Sequence, residues 1–203
     1  MAHPGRRSIF IAVLFMACLA TSSCWIPEKF DAGVSINKDG SYTFTYDGTL
    51  AFAPALAAAK EGVLPPNEEA DLQKEVAKMR QEPGFKKVDY QGNGRYKVLV
   101  EKTGKPGETF CFVSCEEQFF TVISLPNGTT TVKGVRPSAE GLKQLNEIGA
   151  TLDGTLSVST ANGMKVIKHN AESEPMFFGW FGSYKWHINS VGADPFIVVQ
   201  PAS

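Results

Sequence analysis

The chain has 203 residues, 43% hydrophobic and 20% charged, with 20 basic against 21 acidic side chains. That balance excludes a strongly basic nucleic-acid binder and a charge-rich disordered chain. Without residues 1–23, 18 basic and 21 acidic residues remain among 180. That is enough for one domain that buries roughly 70% of its unfolded surface and needs no disulfide to fold.

The N-terminus, MAHPGRRSIFIAVLFMACLATSSCW, has two arginines, an apolar run from Ile9 to Ala20, and small polar residues before Cys24. This is the plan of a secretory signal peptide over residues 1–23. The run is well short of the roughly 20 residues that span a bilayer. Ala20-Thr21-Ser22-Ser23-Cys24 resembles the lipobox of bacterial lipoproteins, with Thr21 where Leu is usual. The resemblance implies that the Cys24 thiol carries a diacylglycerol and that the mature chain begins there, as a single domain over 24–203. Two or three acyl chains make such anchoring effectively permanent. The alternative is a plain secreted protein cut after Ala20 or Ser23. Cys18 is a rival acceptor that would shorten the apolar run, and the residues after Arg6-Arg7 fit a twin-arginine signal poorly.

In the domain, partial alternation predicts strands over Phe30–Ile36 and Ser41–Phe52, joined by the turn Asn37-Lys38-Asp39-Gly40. The Ala-rich stretch from Pro54 predicts a short helix stopped by Gly62. A longer amphipathic helix follows Pro65-Pro66, with Asn67 as its cap, Glu68 and Glu69 in its first turn, and Leu72, Val76 and Met79 on one face. Strands are predicted over 85–90 and 95–104 about a turn at 91–94, then over 118–125 and 129–135 about Pro126-Asn127-Gly128. Pro137-Ser138 opens a last helix bearing Leu142, Leu145 and Ile148. Strands over 151–160 and 164–168 flank Ala161-Asn162-Gly163 and predict a hairpin, and SYKWHINSV and PFIVVQ close the chain. Short strands with inserted helices give an α+β class: a curled, hairpin-rich antiparallel sheet packed against two or three helices.

Cys111 and Cys115 stand four apart in FCFVSC, and an exported chain meets an oxidising compartment. A disulfide closing a tight bend fits that spacing; two free thiols or half of a metal site are the alternatives. Only His169 and His187 accompany them as further soft ligands, so no metal and no cofactor is expected.

NKDGSYTF, the helical insertion, TLSVSTANGMKVIKHNA and YKWHI, in this order behind an acceptor cysteine, resemble the LppM-like bacterial lipoproteins. The resemblance implies a curled sheet against helices with a lipid-accommodating cavity, and hence a lipid or glycolipid ligand. No binding residue of the family matches one here. Members can carry a C-terminal membrane helix, whereas the last residues here read as a strand.

No GxSxG elbow, HExxH helix, Walker loop or paired GxGxxG is present, and His169 and His187 have no metal-spaced partner. The adjacent acids Glu116 and Glu117 would point to opposite faces of a strand. The expected role is therefore not enzymatic. PMFFGWFGSYKW concentrates Phe177, Phe178, Trp180, Phe181, Tyr184 and Trp186 around Gly179 and Gly182. It reads either as a core-plugging hairpin or as an exposed loop that touches a membrane or an apolar ligand. The sequence thus points to an envelope lipoprotein facing the periplasm or cell exterior. Its partners would be the membrane, through the anchor, and a lipid ligand bound between the sheet and the helices of 67–81 and 138–148. The alternative is a scaffolding lipoprotein that meets an envelope protein through sheet edges or the aromatic loop.

Overall fold

The computed structural model describes residues 25–62, 64–113, 115, 119–176 and 182–202. Among the described residues, two sheets and three helices make an α+β fold. Strands β1 (Trp25–Ile36) and β2 (Tyr42–Phe52) are the centre of the larger sheet. They are flanked by β3 (Phe85–Gly92) and β4 (Arg95–Gly104) on one side, and by β8 (Gly154–Thr160) and β10 (Tyr184–Ile188) on the other, in the order β10-β8-β1-β2-β4-β3. The smaller sheet has the order β5-β6-β7-β11-β9, from β5 (Thr109–Phe112), β6 (Phe120–Ser124), β7 (Thr130–Gly134), β9 (Met164–His169) and β11 (Phe196–Pro201).

The opening hairpin forms as its turn chemistry dictates. Gly40 takes φ 81° and donates its N–H to the Asn37 carbonyl, while the Asp39 carboxylate accepts the Ser41 N–H. β1 starts five residues before the predicted Phe30, because a bulge between Pro27 and Phe30 hides the alternation. Trp25 and Pro27 share the inner face with Phe30, Val34 and Ile36 only through that extra residue. At the bulge, Gly48 stands opposite Phe30, and a β-carbon on it would lie 2.4 Å from the Phe30 Cβ.

The expected hairpin across Ala161–Gly163 does not form. β8 runs parallel to β1 and antiparallel to β10, whereas β9 pairs with β11 in the other sheet. The Asn-Gly turn is present but carries the chain from one sheet to the other. β5 was also hidden, since four residues beside a cysteine bend show too little periodicity.

Phe44 and Tyr46 of the larger sheet meet Phe112 of the smaller one at ring distances of 5.1 and 4.5 Å, and Phe30 meets Phe120 at 5.5 Å. The sheets therefore face one another over a shared aromatic core. Helix α1 (Ala53–Glu61) follows β2 with no connecting residue, and α2 (Pro66–Met79) comes next. Asn67 lies inside α2 rather than capping it. Pro65 is the cap position and Pro66 the first helical residue, where a fixed φ and a missing N–H suit a helix start. Helix α3 (Ala139–Glu147) is capped by Ser138, whose hydroxyl accepts from the Gly141 N–H. Leu145 and Ile148 join Leu56 of α1 over Ile26, Ala51 and Ala150, a second, smaller core on the outer face.

Candidate functional site

The inner face of the larger sheet is covered by two bodies. The smaller sheet covers one end, and α2 crosses the end that holds Trp25 and Tyr96. Only Met79, at the last turn of α2, is buried; Leu72 and Val76 are half-buried. The helix is thus seated at its C-terminal end and stands off the sheet at its N-terminal end. Three polar contacts fix that stance. The Tyr96 hydroxyl donates to the Leu72 carbonyl at 2.6 Å, the Asn93 N–H donates to the Glu69 carboxylate at 3.3 Å, and the Arg80 guanidinium donates to the Val88 carbonyl at 2.8 Å. Burial, with Tyr90 and the carboxylates of Glu75 and Glu69 adding to it, raises the Tyr96 phenol well above its ordinary range, so it remains a donor.

The gap beneath α2 is a groove of about 510 Å³. Its apolar walls are Trp25, Phe52, Ala55, Leu64, Leu72 and Tyr96, and Glu68, Asp71 and Glu75 of α2 stand at its rim. Asp71 and Glu75 are each matched by a lysine one turn on, at 2.8 Å from Lys74 and 2.6 Å from Lys78. The volume lies within the roughly 300–1,000 Å³ of small-molecule sites, and the lining is of the same apolar character. A second hollow of about 320 Å³ lies on the other side of Trp25, between Met79, Phe85, Phe110 and the disulfide segment at Cys111 and Val113. Helix α3 lines neither space. The expected cavity exists between the sheet and the helix of 67–81, but α1 rather than the helix of 138–148 completes it.

Cys111 and Cys115 are bonded, with Cα atoms 5.0 Å apart. Cys24, Phe177, Phe178, Trp180, Phe181, Glu116 and Glu117 lie outside the described residues. The two described aromatics of the 175–186 stretch are not free surface. Trp186 is only 1% exposed and belongs to the core, so its assignment as a membrane or ligand contact is corrected. Its indole N–H donates to the Asn170 side-chain oxygen at 2.9 Å. Tyr184 is half-buried against the His169 ring, 4.8 Å away. The base of the stretch is closed by the bridge between Ser173 and Lys185.

His169 Nδ1 accepts the Ala171 N–H, and His187 Nδ1 lies 3.4 Å from the Gly154 carbonyl oxygen. Both rings thus engage the backbone. Among the described residues no cluster of three or more His, Cys, Asp or Glu is placed to hold a metal, and no helix is long and apolar enough to cross a membrane. The sequence marks Leu72 on an amphipathic face but marks neither Trp25 nor Tyr96, which wall the groove from the sheet. Their only signal is an aromatic ahead of one predicted strand, Trp25 before Phe30, and another near the start of the strand over 95–104.

No protein-family model matches the chain, and no curated protein matches it. Among solved structures it is similar to the folded domain of Mycobacterium tuberculosis LppM, determined by NMR, with a TM-score of 0.41 and 10% identity over 90% of this chain and 93% of that one. Similarity at that level assigns this chain neither a family nor a function.

Proposed function

We propose that this protein is an exported envelope lipoprotein, anchored through Cys24, that binds an apolar ligand of the lipid class without transforming it. The observation that carries the ligand reading is the apolar groove of about 510 Å³ under α2, walled by Trp25, Phe52, Leu72 and Tyr96. A helix that buries only one residue yet is held by three polar tethers leaves space where an ordinary helix would close on its sheet. The polar rim on α2 suits a ligand with an apolar tail and a polar head.

The test uses the full chain, exported and purified from a bacterial host, with a fluorescent fatty acid as probe. Saturable binding to one site is expected. Ala58→Trp, a change at an exposed helix position that lines the groove, should weaken it by at least about tenfold, on the order of 1.4 kcal/mol, without lowering the melting temperature. Binding that ignores the substitution, or no binding, would overturn the groove reading. The latter result would favour the scaffold alternative, for which the observation is Ile167, 49% exposed on the edge strand β9. Intact-mass measurement separately reads the lipid on Cys24.

A further inference from the structure

The acceptor cysteine immediately precedes the first strand. β1 begins at Trp25, so Cys24 is one peptide unit away, with about 3.8 Å between Cα atoms. Trp25 pairs with Phe52 and Ile26 with Ala51, which holds the start of the strand within the sheet. A chain lipidated at Cys24 therefore has no spacer between its acyl chains and its folded domain. A flexible spacer would let the domain drift by about 5–6 Å times the square root of its length. With none, one pole of the molecule stays at the membrane.

We infer that this pole, formed around Trp25 by Phe52, the start of α1 and the β3–β4 turn, rests on the bilayer that holds the Cys24 lipid, and that the groove receives an acyl chain drawn from that bilayer. The inference rests on the lipidation proposed above. Trp25 and Phe52 form the terminal pair of the β1–β2 ladder and both line the groove, so the groove lies at this pole. Tryptophan, with its amphipathic ring, favours the membrane interface. The opposite pole lies roughly 36 Å away, at about 3.3 Å per residue along the twelve residues of β1. There the turns at 37–40, 126–128 and 161–163 meet, Gly40 against Gly128 and Gly163 against Lys38. The lysines beside the groove rim, Lys74 and Lys78, are paired with Asp71 and Glu75 rather than offered to anionic headgroups, so the contact depends on the anchor.

The experiment reconstitutes the full lipidated chain into phosphatidylcholine vesicles that carry a nickel-chelating lipid. A nitroxide is placed at Gln91→Cys, near the anchored pole, or at Lys38→Cys, at the far one; both positions are exposed. Relaxation should be several-fold faster at 91 than at 38. A Gly-Ser insert of about 15 residues between Cys24 and Trp25, with ends roughly 20 Å apart, should abolish the difference. The insert should also slow uptake of a fluorescent phospholipid from the vesicles several-fold while leaving binding of the fatty acid from solution unchanged. Equal relaxation at both positions in the protein without the insert, with the lipid present on Cys24 by mass, overturns this inference and leaves lipidation standing. A mass without lipid overturns both.

Discussion

Glu28 is the most consequential buried charge of the fold. It is 5% exposed, within the bulge of β1, and its carboxylate takes two bonds from the Arg95 guanidinium, at 2.7 and 3.3 Å, and the Thr151 N–H at 3.0 Å. Arg95 also donates to the Gly149 carbonyl, so one pair ties β1, β4 and the end of α3 together. Removing the carboxylate leaves the Thr151 N–H without its acceptor and the guanidinium with the Gly149 carbonyl alone. Glu28→Ala should cost about 3 kcal/mol, read as a lower urea midpoint at unchanged slope. Glu172 acts at the base of the aromatic stretch and depends on pH. The His187 N–H, and with it the Arg136 guanidinium, holds its carboxyl below the usual carboxylate range. A depressed folded-state value means that its stabilisation is fully present above about pH 4.3, the unfolded value, and is lost as pH falls through the lower folded one. Glu172→Gln should therefore lower the melting temperature most at neutral pH, and the gap from the parent should close on acidification. A gap constant from pH 7 to pH 3 would remove the carboxylate from that role.

At the scale of elements, α2 decides whether there is a groove at all. Its apolar spacing was readable from Leu72, Val76 and Met79, but its distance from the sheet was not. That distance is set by the Tyr96 hydroxyl on the Leu72 carbonyl and by Glu69 on Asn93, contacts across 24 residues that no local pattern encodes. Tyr96→Phe should cost only about 1 kcal/mol globally while raising amide exchange along the first two turns of α2 and weakening the fatty acid probe. Unchanged exchange would mean that Met79, Arg80 and the Glu69–Asn93 contact hold the helix without it. The hairpin expected at Ala161–Gly163 failed for a related reason. Asn-Gly turns are local chemistry, yet which sheet a strand joins depends on distant partners: β8 finds β1 and β9 finds β11. The Cys111–Cys115 bond fits the four-residue spacing, which by itself also left two free thiols or half of a metal site open. It closes a very short loop, so on the chain-entropy account its reduction should cost about 2 kcal/mol and leave the two-state melt intact.

For the molecule as a whole, the question is what keeps two sheets in register when the final third of the chain weaves between them. Asn170, directly after β9, is the junction. Its side-chain oxygen accepts the Trp186 indole N–H from β10 of the larger sheet and the Phe196 N–H from β11 of the smaller one, both at 2.9 Å. Its amide nitrogen donates to the Asp194 carbonyl at 2.8 Å. Trp186 is among the largest fully buried side chains, so its single polar atom has to find a partner inside the protein. In the sequence, Trp186 stood out only as part of an aromatic run and Asn170 did not stand out at all, because their meaning lies in a contact 16 residues apart that spans two layers. Asn170→Ala orphans two donors and should cost about 2–6 kcal/mol, at about 1–3 for each buried group left unpaired. Trp186→Phe alone removes the indole donor and some volume. If the junction couples the sheets, the double variant should be destabilised by clearly less than the sum of the two single changes, a coupling of at least about 1 kcal/mol in a double-mutant cycle. Strict additivity would mean that the shared aromatic core alone, Phe44 and Tyr46 against Phe112, holds the two layers together.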